Sequence, residues 1–524
     1  MTAALALAFA LAAPGASPAQ PASSTGDVER YVIAIGYNSG APDPRPRLKH
    51  ADDDAARLYE LMVGASTKSW LLTTFDRESA SRYPALAALA APPTLVELSR
   101  VLGELTWHVR QSKDKGRSTE LVFFFAGHGD VTPGGEGYVV FADGALTRDD
   151  LYRQVVAGAP TDLNHVILDA CASYFMVNAR GDEEESGAVP LTPAILDVIE
   201  SQEARHDPSV WARTGVLVST SSSAAVHESA SLGSGIFSYL LRSALLGAAD
   251  VNRDGRLEYA EVASYIHAAS NDVADPRARL AVHAAAPVQR PNAALRALDD
   301  GSVERFLRIG GNDPQRVRVI DDQGVPYAEL FRAKDQEVVL ALVGSRFFVV
   351  QADAREALLV PRGSGAYALD ALRFDDAPRS RAVGTLAERE PLVAALFATP
   401  FSRAYADGFI GGRAVVPLHT GPRFEPSYAD DGAPPVTIGI WPFTLGAAAL
   451  AGASALVSVG ALSVNLVGFA LLEDQFSTSG RIDPGLSLTV EVARAAAYGA
   501  GLLALAAAGT AGGLFLYDVA TEDE

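Results

Sequence analysis

An α/β domain with a buried, largely parallel sheet is predicted for the first half of the chain. A small β-sandwich-like domain and a C-terminal helical hairpin are predicted to follow it. Short apolar runs such as 121–126 and 166–168 are bounded by Gly or charge and alternate with helix-period stretches, the pattern of strands covered on both faces. Residues 303–380 change to short strands separated by Gly, Asp and Pro turns. Residues 443–472 and 495–517 carry no charged residue, and each exceeds the roughly twenty apolar residues that span a bilayer.

The chain has 524 residues, 48% of them hydrophobic, and a formal net charge of −20. That length implies more than one domain. The charge argues against nucleic acid as a partner and against adsorption to anionic lipid. Residues 1–19 show an apolar core followed by small residues, the shape of a signal peptide cleaved near Ala19. Export would leave the one cysteine, Cys171, with no partner for an intramolecular disulfide.

In order along the chain, residues 27–36 read as the first core strand, and a Pro-rich loop follows at 41–46. Leu48, Ala51, Ala55, Leu58 and Leu61 form the apolar stripe of a helix whose acids Asp52, Asp53 and Asp54 sit at its favourable N-terminus. Residues 70–75 are a short strand, 83–93 a surface loop and 94–111 a helix. After a strand ending near His128, residues 134–141 read as a hairpin, and Thr147 with Asp150 as a capping box. Residues 165–170 are the strand that leads to Cys171. Residues 215–220 form a further buried strand and 235–246 a helix. Residues 289–301 are a linker, 385–406 a helix and 429–435 a second linker.

Two stretches carry the chemistry. Glu120-Leu-Val-Phe-Phe-Phe-Ala-Gly-His128-Gly129-Asp130 and His165-Val-Ile-Leu-Asp169-Ala-Cys171-Ala-Ser173 each run from an apolar strand into reactive residues. Ligands of open α/β sheets bind beyond the carboxyl ends of the strands. Imidazole and thiol placed there are the minimum for nucleophilic acyl transfer: His128 draws off the thiol proton and the thiolate attacks a carbonyl carbon. The other reading of Cys171 is a small buried hydrophobe.

Gly127-His128-Gly129 after one strand and Asp169-Ala-Cys171 after another resemble the caspase and metacaspase superfamily of cysteine peptidases over residues 28–275. The resemblance implies a caspase-haemoglobinase-like sheet flanked by helices. It also implies a Cys171/His128 dyad acting on protein or peptide substrates through a thioester, with no cofactor needed for the chemistry. Gly129 and Cys171 would supply oxyanion-hole N–H groups. Asp54, with Asp53 as the one-residue alternative, and Asp169 match the acids that read a basic P1 side chain, so cleavage after Arg or Lys is expected. One departure stands: Ser173-Tyr174 replaces the family's Ser-Gly. Self-cleavage, where it occurs in the family, falls in the loop around Arg180, with Arg205 as a second candidate; an uncut solvated loop is the plainer reading.

Residues 250–261 fit an EF-hand loop, with Asp250, Asn252, Asp254, the Arg256 carbonyl and Glu261 as Ca²⁺ ligands. The plainer alternative is an Asp/Asn/Gly turn without an ion. His50, His165 and His227 read as structural or surface histidines. There is no P-loop, no His-Glu-X-X-His zinc motif and no cysteine pair.

The expected organisation is a signal peptide (1–19), a peptidase domain (27–288), a β-rich domain (303–380), a helix and linker (385–435) and two membrane helices (443–472 and 495–517). The peptidase domain would be extracytoplasmic and anchored through the hairpin. Two other functions remain open: an inactive caspase-like, membrane-tethered scaffold, and a Ca²⁺-responsive adaptor working through the β-rich domain.

Overall fold

The computed structural model describes residues 28–39, 45–132, 136–170, 211–219, 228–273, 280, 282–352, 355–376, 393, 395–411, 418–419 and 421–427. They divide between two compact units. The first takes in the described residues up to Arg355, with 361–371 and those from 376 onward; the second includes 356–360 and 372–375, and so most of one strand, β19 (Arg355–Leu359).

The main sheet is built from β1 (Val28–Tyr37), β2 (Lys68–Thr73), β3 (Ser118–Gly127), β7 (Leu163–Asp169), β8 (Thr214–Ser219) and β12 (Val282–Ala285). Their order is β12-β8-β7-β3-β1-β2, and all neighbours are parallel except β12, which closes one edge antiparallel. The near-continuous apolar character of β1, β3 and β7 follows from burial on both faces. On one face Tyr31, Ile33, Ile35, Leu121, Phe123 and Phe125 pack against Leu98, Val101, Leu105 and Val109 of helix α4 (Leu95–Asp114). The intervening strand residues face the other way, where helix α1 (Ala51–Val63) lies on β1. Gly36 permits that approach, since a Cβ there would stand 2.2 Å from the carbonyl oxygen of Ala51.

The loop expected at 83–93 is largely helical. Helix α2 (Arg77–Arg82) is capped by Asp76 and leads into α3 (Pro84–Leu89), which begins on a proline, a favoured first helical residue. Tyr83 between them is buried, and its hydroxyl accepts a hydrogen bond of 2.9 Å from Arg57 Nε. Of the helix expected over 385–406, residues 385–392 and 394 lie outside the described residues. Phe397 has φ +58, a conformation that breaks a helix, Phe401 makes a bridge to Arg332, and the helix itself, α8, spans Arg403–Gly411. Beyond His128, β4 (Gly129–Val131), β5 (Gly137–Phe141) and β6 (Gly144–Thr147) form a small antiparallel sheet, and the Thr147/Asp150 capping box is present at α5 (Arg148–Asp150). No helix among the described residues is long and apolar enough to cross a membrane. The apolar segments 443–472 and 495–517 and the signal-like residues 1–19 lie outside the described residues.

Strands β14 (Arg305–Ile309), β15 (Gln315–Ile320), β16 (Pro326–Arg332), β17 (Val338–Ala341), β18 (Phe348–Ala352) and β20 (Gly365–Ala368) pair as β17-β14-β20 and β16-β15-β18. They belong to the same compact unit as the main sheet, not to a separate one. A buried charge cluster explains the union. Glu329 on β16 accepts from Arg316 Nε (2.6 Å) and Arg318 Nε (2.8 Å) on β15, and from Tyr239 Oη (3.3 Å) on helix α6 (Ile236–Ser243). The Tyr265 hydroxyl of α7 (Tyr259–Ser270) donates to the Glu329 carbonyl. Arg242 of α6 reaches the Pro326 and Tyr327 carbonyls at 2.6 and 3.0 Å. Removing one partner of a buried pair strands the other charge, at a cost of roughly 3–5 kcal/mol. Glu329→Gln is therefore expected to lower the urea midpoint of the whole first unit in a single transition. A separate early transition confined to the β-rich strands would contradict the shared core.

Candidate active site

Strands β3 and β7 lie side by side with Ala126 opposite Asp169. One residue past Ala126, a Cβ on Gly127 would stand 2.9 Å from Phe125 Cζ and 3.1 Å from the Tyr37 carbonyl, so the turn out of the sheet requires glycine. His128 follows. Its carbonyl accepts from Val140 N–H at 2.9 Å, and its side chain is buried with Nε2 2.8 Å from the Pro46 carbonyl oxygen. A carbonyl can only accept, so Nε2 carries the proton and Nδ1 is the basic nitrogen of the neutral ring. Nothing in the sequence pattern singles out Pro46, because it contributes a backbone atom from a loop. Gly129 opens β4 and is buried. Cys171 lies outside the described residues; in sequence it is as far beyond Asp169 as His128 is beyond Ala126.

The three acids at the start of α1 take different partners. Asp52 accepts from Asp76 N–H (3.1 Å), and Asp53 pairs with Arg82 (2.9 Å) and His50 (3.2 Å). Asp54 alone turns to the cleft. It accepts from the Ser234 hydroxyl and from Gly235 N–H (2.8 Å), in the short stretch before α6. Asp169, at the end of β7, accepts from Ser238 Oγ at 2.5 Å. The two carboxylates converge on Gly235, where an added Cβ would sit 2.9 Å from Asp169 Oδ2 and 3.1 Å from Asp54 Oδ2. Asp54, Asp169, Gly235 and His128 line one cavity of about 500 Å³ including its open mouth. Glu228 lines it too, held by the N–H groups of Lys49 (3.1 and 3.0 Å) and His50 (2.8 Å). It falls in the small-residue stretch 221–234, whose composition suggests a loop lining the cleft, though no motif marks Glu228 itself.

Burial raises the Asp54 carboxyl to about 7, opposed by Arg57 and by the bonds from Ser234 and Gly235, and reinforced by Asp169. Burial likewise raises Asp169 to about 6, against the Ser238 bonds and with the help of Glu228. Two desolvated acids poised this way favour an incoming cation, which would restore their ionised form. His50 bonds to Asp53. His165 is buried against Tyr259 Oη at 2.7 Å and pushed down to about 4 by desolvation, a structural imidazole.

The 250–261 loop turns tightly through Arg253 (φ +64) and Gly255 (φ +76). Its acids are engaged with the backbone: Asp250 accepts from Asp254 N–H (3.1 Å) and Gly255 N–H (3.0 Å), and Asn252 from Asp254 N–H (3.0 Å). Asp254 accepts from Arg256 N–H at 2.9 Å. Glu261 accepts from Val251 N–H (3.2 Å) and, in a capping box, from Glu258 N–H (3.1 Å). Burial and Asp254 raise Asp250 to about 7.

Residues 30–277 match the family model described as a caspase domain, and that stretch is caspase-like. Among solved structures, the chain is similar to a structural-genomics protein from Geobacter sulfurreducens at 14% identity and TM-score 0.21, over 37% of this chain and 72% of that one. It is similar to pro-sf-caspase-1 at 12% identity and TM-score 0.22, over 39% and 68% of the two chains. None of the curated proteins matches the chain.

The site makes a prediction about cations that needs no turnover. Benzamidine, as an amidinium probe, is expected to bind more tightly as pH rises from about 5 to about 8, through the range in which Asp169 and Asp54 ionise. In Gly235→Ala the added methyl fills the gap between the carboxylates, and calorimetry should show affinity lower by roughly tenfold or more. Unchanged affinity in that variant would place the cation elsewhere.

Proposed function

We propose that the chain is a cysteine endopeptidase that cleaves after Arg or Lys. The convergence of Asp54 and Asp169 on Gly235, in the cavity that His128 lines, carries this reading. The caspase-domain match over residues 30–277 supports the reaction class.

In this mechanism the Cys171 thiol gives its proton to His128 Nδ1, while the Nε2–H bond to the Pro46 carbonyl holds the ring and stabilises the imidazolium that forms. The thiolate attacks the scissile carbonyl, whose oxygen takes up the negative charge and is held by the N–H groups of Gly129 and Cys171. Collapse of that intermediate expels the amine, which takes the proton from His128, and leaves a thioester. Water, deprotonated by the same imidazole, then releases the acid and restores the thiol. A P1 guanidinium or ammonium ionises Asp54 and Asp169 and pairs with them, so binding energy from the basic side chain fixes the scissile bond over the nucleophile.

The deciding test is turnover of fluorogenic peptides with Arg, Lys or Asp at P1. Cleavage after Arg or Lys is expected, abolished in Cys171→Ala and slowed by roughly 10²–10⁴-fold in His128→Ala. Turnover that survives Cys171→Ala would overturn the nucleophile. Cleavage after Asp alone would overturn the roles of Asp54 and Asp169.

A further inference from the structure

The segment containing His419 lies across the 250–258 loop. Asn252 Nδ2 donates to the His419 carbonyl at 3.0 Å, and Phe424 N–H to the Arg253 carbonyl at 2.6 Å. The Phe424 ring covers Gly255, where a Cβ would stand 2.8 Å from Phe424 Cγ. This brings an imidazole from residue 419 to two carboxylates of the loop. A ligand atom of Asp254, one of Glu258 and one of His419 all lie within 4.8 Å of one another. His419 Nδ1 and Asp254 Oδ2 are 3.1 Å apart. Glu258 is 2% exposed. Its carboxylate faces the Glu261 N–H across the capping box, and its Oε2 has long contacts, 3.3 Å to Asn292 Nδ2 and 3.4 Å to His419 N–H, while its Oε1 is buried with no close hydrogen-bond partner. A buried carboxylate oxygen left unpaired is costly, and an ion is one ordinary way to satisfy it.

We propose that Asp254, Glu258 and His419 bind a divalent cation of the zinc class. This site differs from the oxygen-only EF-hand arrangement in two ways. It includes a nitrogen donor, which suits zinc-like ions and not Ca²⁺. It also does not use Glu261, which is committed to the Val251 and Glu258 N–H groups. Donors around a tetrahedral ion at about 2.0–2.1 Å stand about 3.3 Å from one another. The His419–Asp254 pair already has that separation, and Glu258 need only close in. Two carboxylates and a neutral imidazole balance the ion's double charge; His419 Nδ1 gives up its proton to bind, and water completes the shell. The ion would tie residue 419 to a loop more than 160 positions earlier in the sequence. The proposal does not depend on the peptidase reading.

Co²⁺ titration of the metal-free full chain tests it, because four-coordinate Co²⁺ absorbs strongly in the visible. One equivalent is expected to give the band, and Zn²⁺ to bleach it. His419→Ala, a half-exposed position, and Glu258→Gln should both lose the band. In chelator the thermal midpoint of His419→Ala should match that of the unsubstituted chain, and Zn²⁺ should raise the midpoint of the latter only. Three results would overturn the proposal: no band in the unsubstituted chain, a band undiminished in His419→Ala, or displacement of Co²⁺ by an equal concentration of Ca²⁺.

Discussion

The hydrogen-bonded register between β3 and β7 is the constraint on which the candidate active site depends. With Ala126 locked opposite Asp169, the two strands end at the same height, and His128 and Asp169 line one cavity. A parallel pair buried on both faces cannot slip by one residue without turning every side chain to the wrong side. Leu121, Phe123 and Phe125 on one face of β3 and Val122 and Phe124 on the other make such a slip prohibitive. The geometry of the His128 turn is thus set by apolar packing well away from it.

The same core makes the two carboxylates possible. An ionised acid without partners is not tolerated at such depth. Asp54 and Asp169 are each given hydroxyl or N–H donors, though too few to offset desolvation fully, so burial leaves Asp54 raised to about 7 and Asp169 to about 6. Gly235 leaves the space between them open. Folding favours the protonated form of both, whereas a bound cation would favour the ionised one.

The apolar runs of β1, β3 and β7 and the stripes of α1 and α4 were readable from residue order, because burial dictates them directly. Asp54, with Asp53 as its alternative, and Asp169 were named through the family resemblance; that Asp54 and Asp169 line one cavity is what the structure adds. The sequence did not reveal the Pro46 carbonyl, since a backbone atom leaves no residue-type signature. Glu228 and His419 were equally silent: each reaches its site through contacts more than 150 positions distant in the chain. The helix α3 was hidden by an Ala/Pro composition that reads as loop, and the six-residue α2 carries no apolar stripe to mark it. Likewise the short strands of 305–352 resemble a free-standing domain until the long-range partners of Glu329 and Arg242 are seen.

Gly247 marks where that shared core is joined most closely. Its φ is +119, and a Cβ there would stand 2.1 Å from the Val339 carbonyl oxygen, so the backbone after α6 touches β17 with no room for any side chain. Nearby, Arg296 is fully buried and donates to the Leu245 carbonyl at 2.9 Å. The caspase-matching stretch ends before both Arg296 and Val339, so a chain cut after residue 277 would lose the groups that close over the Leu245 and Gly247 backbone. The family match and the packed core therefore have different boundaries along the chain.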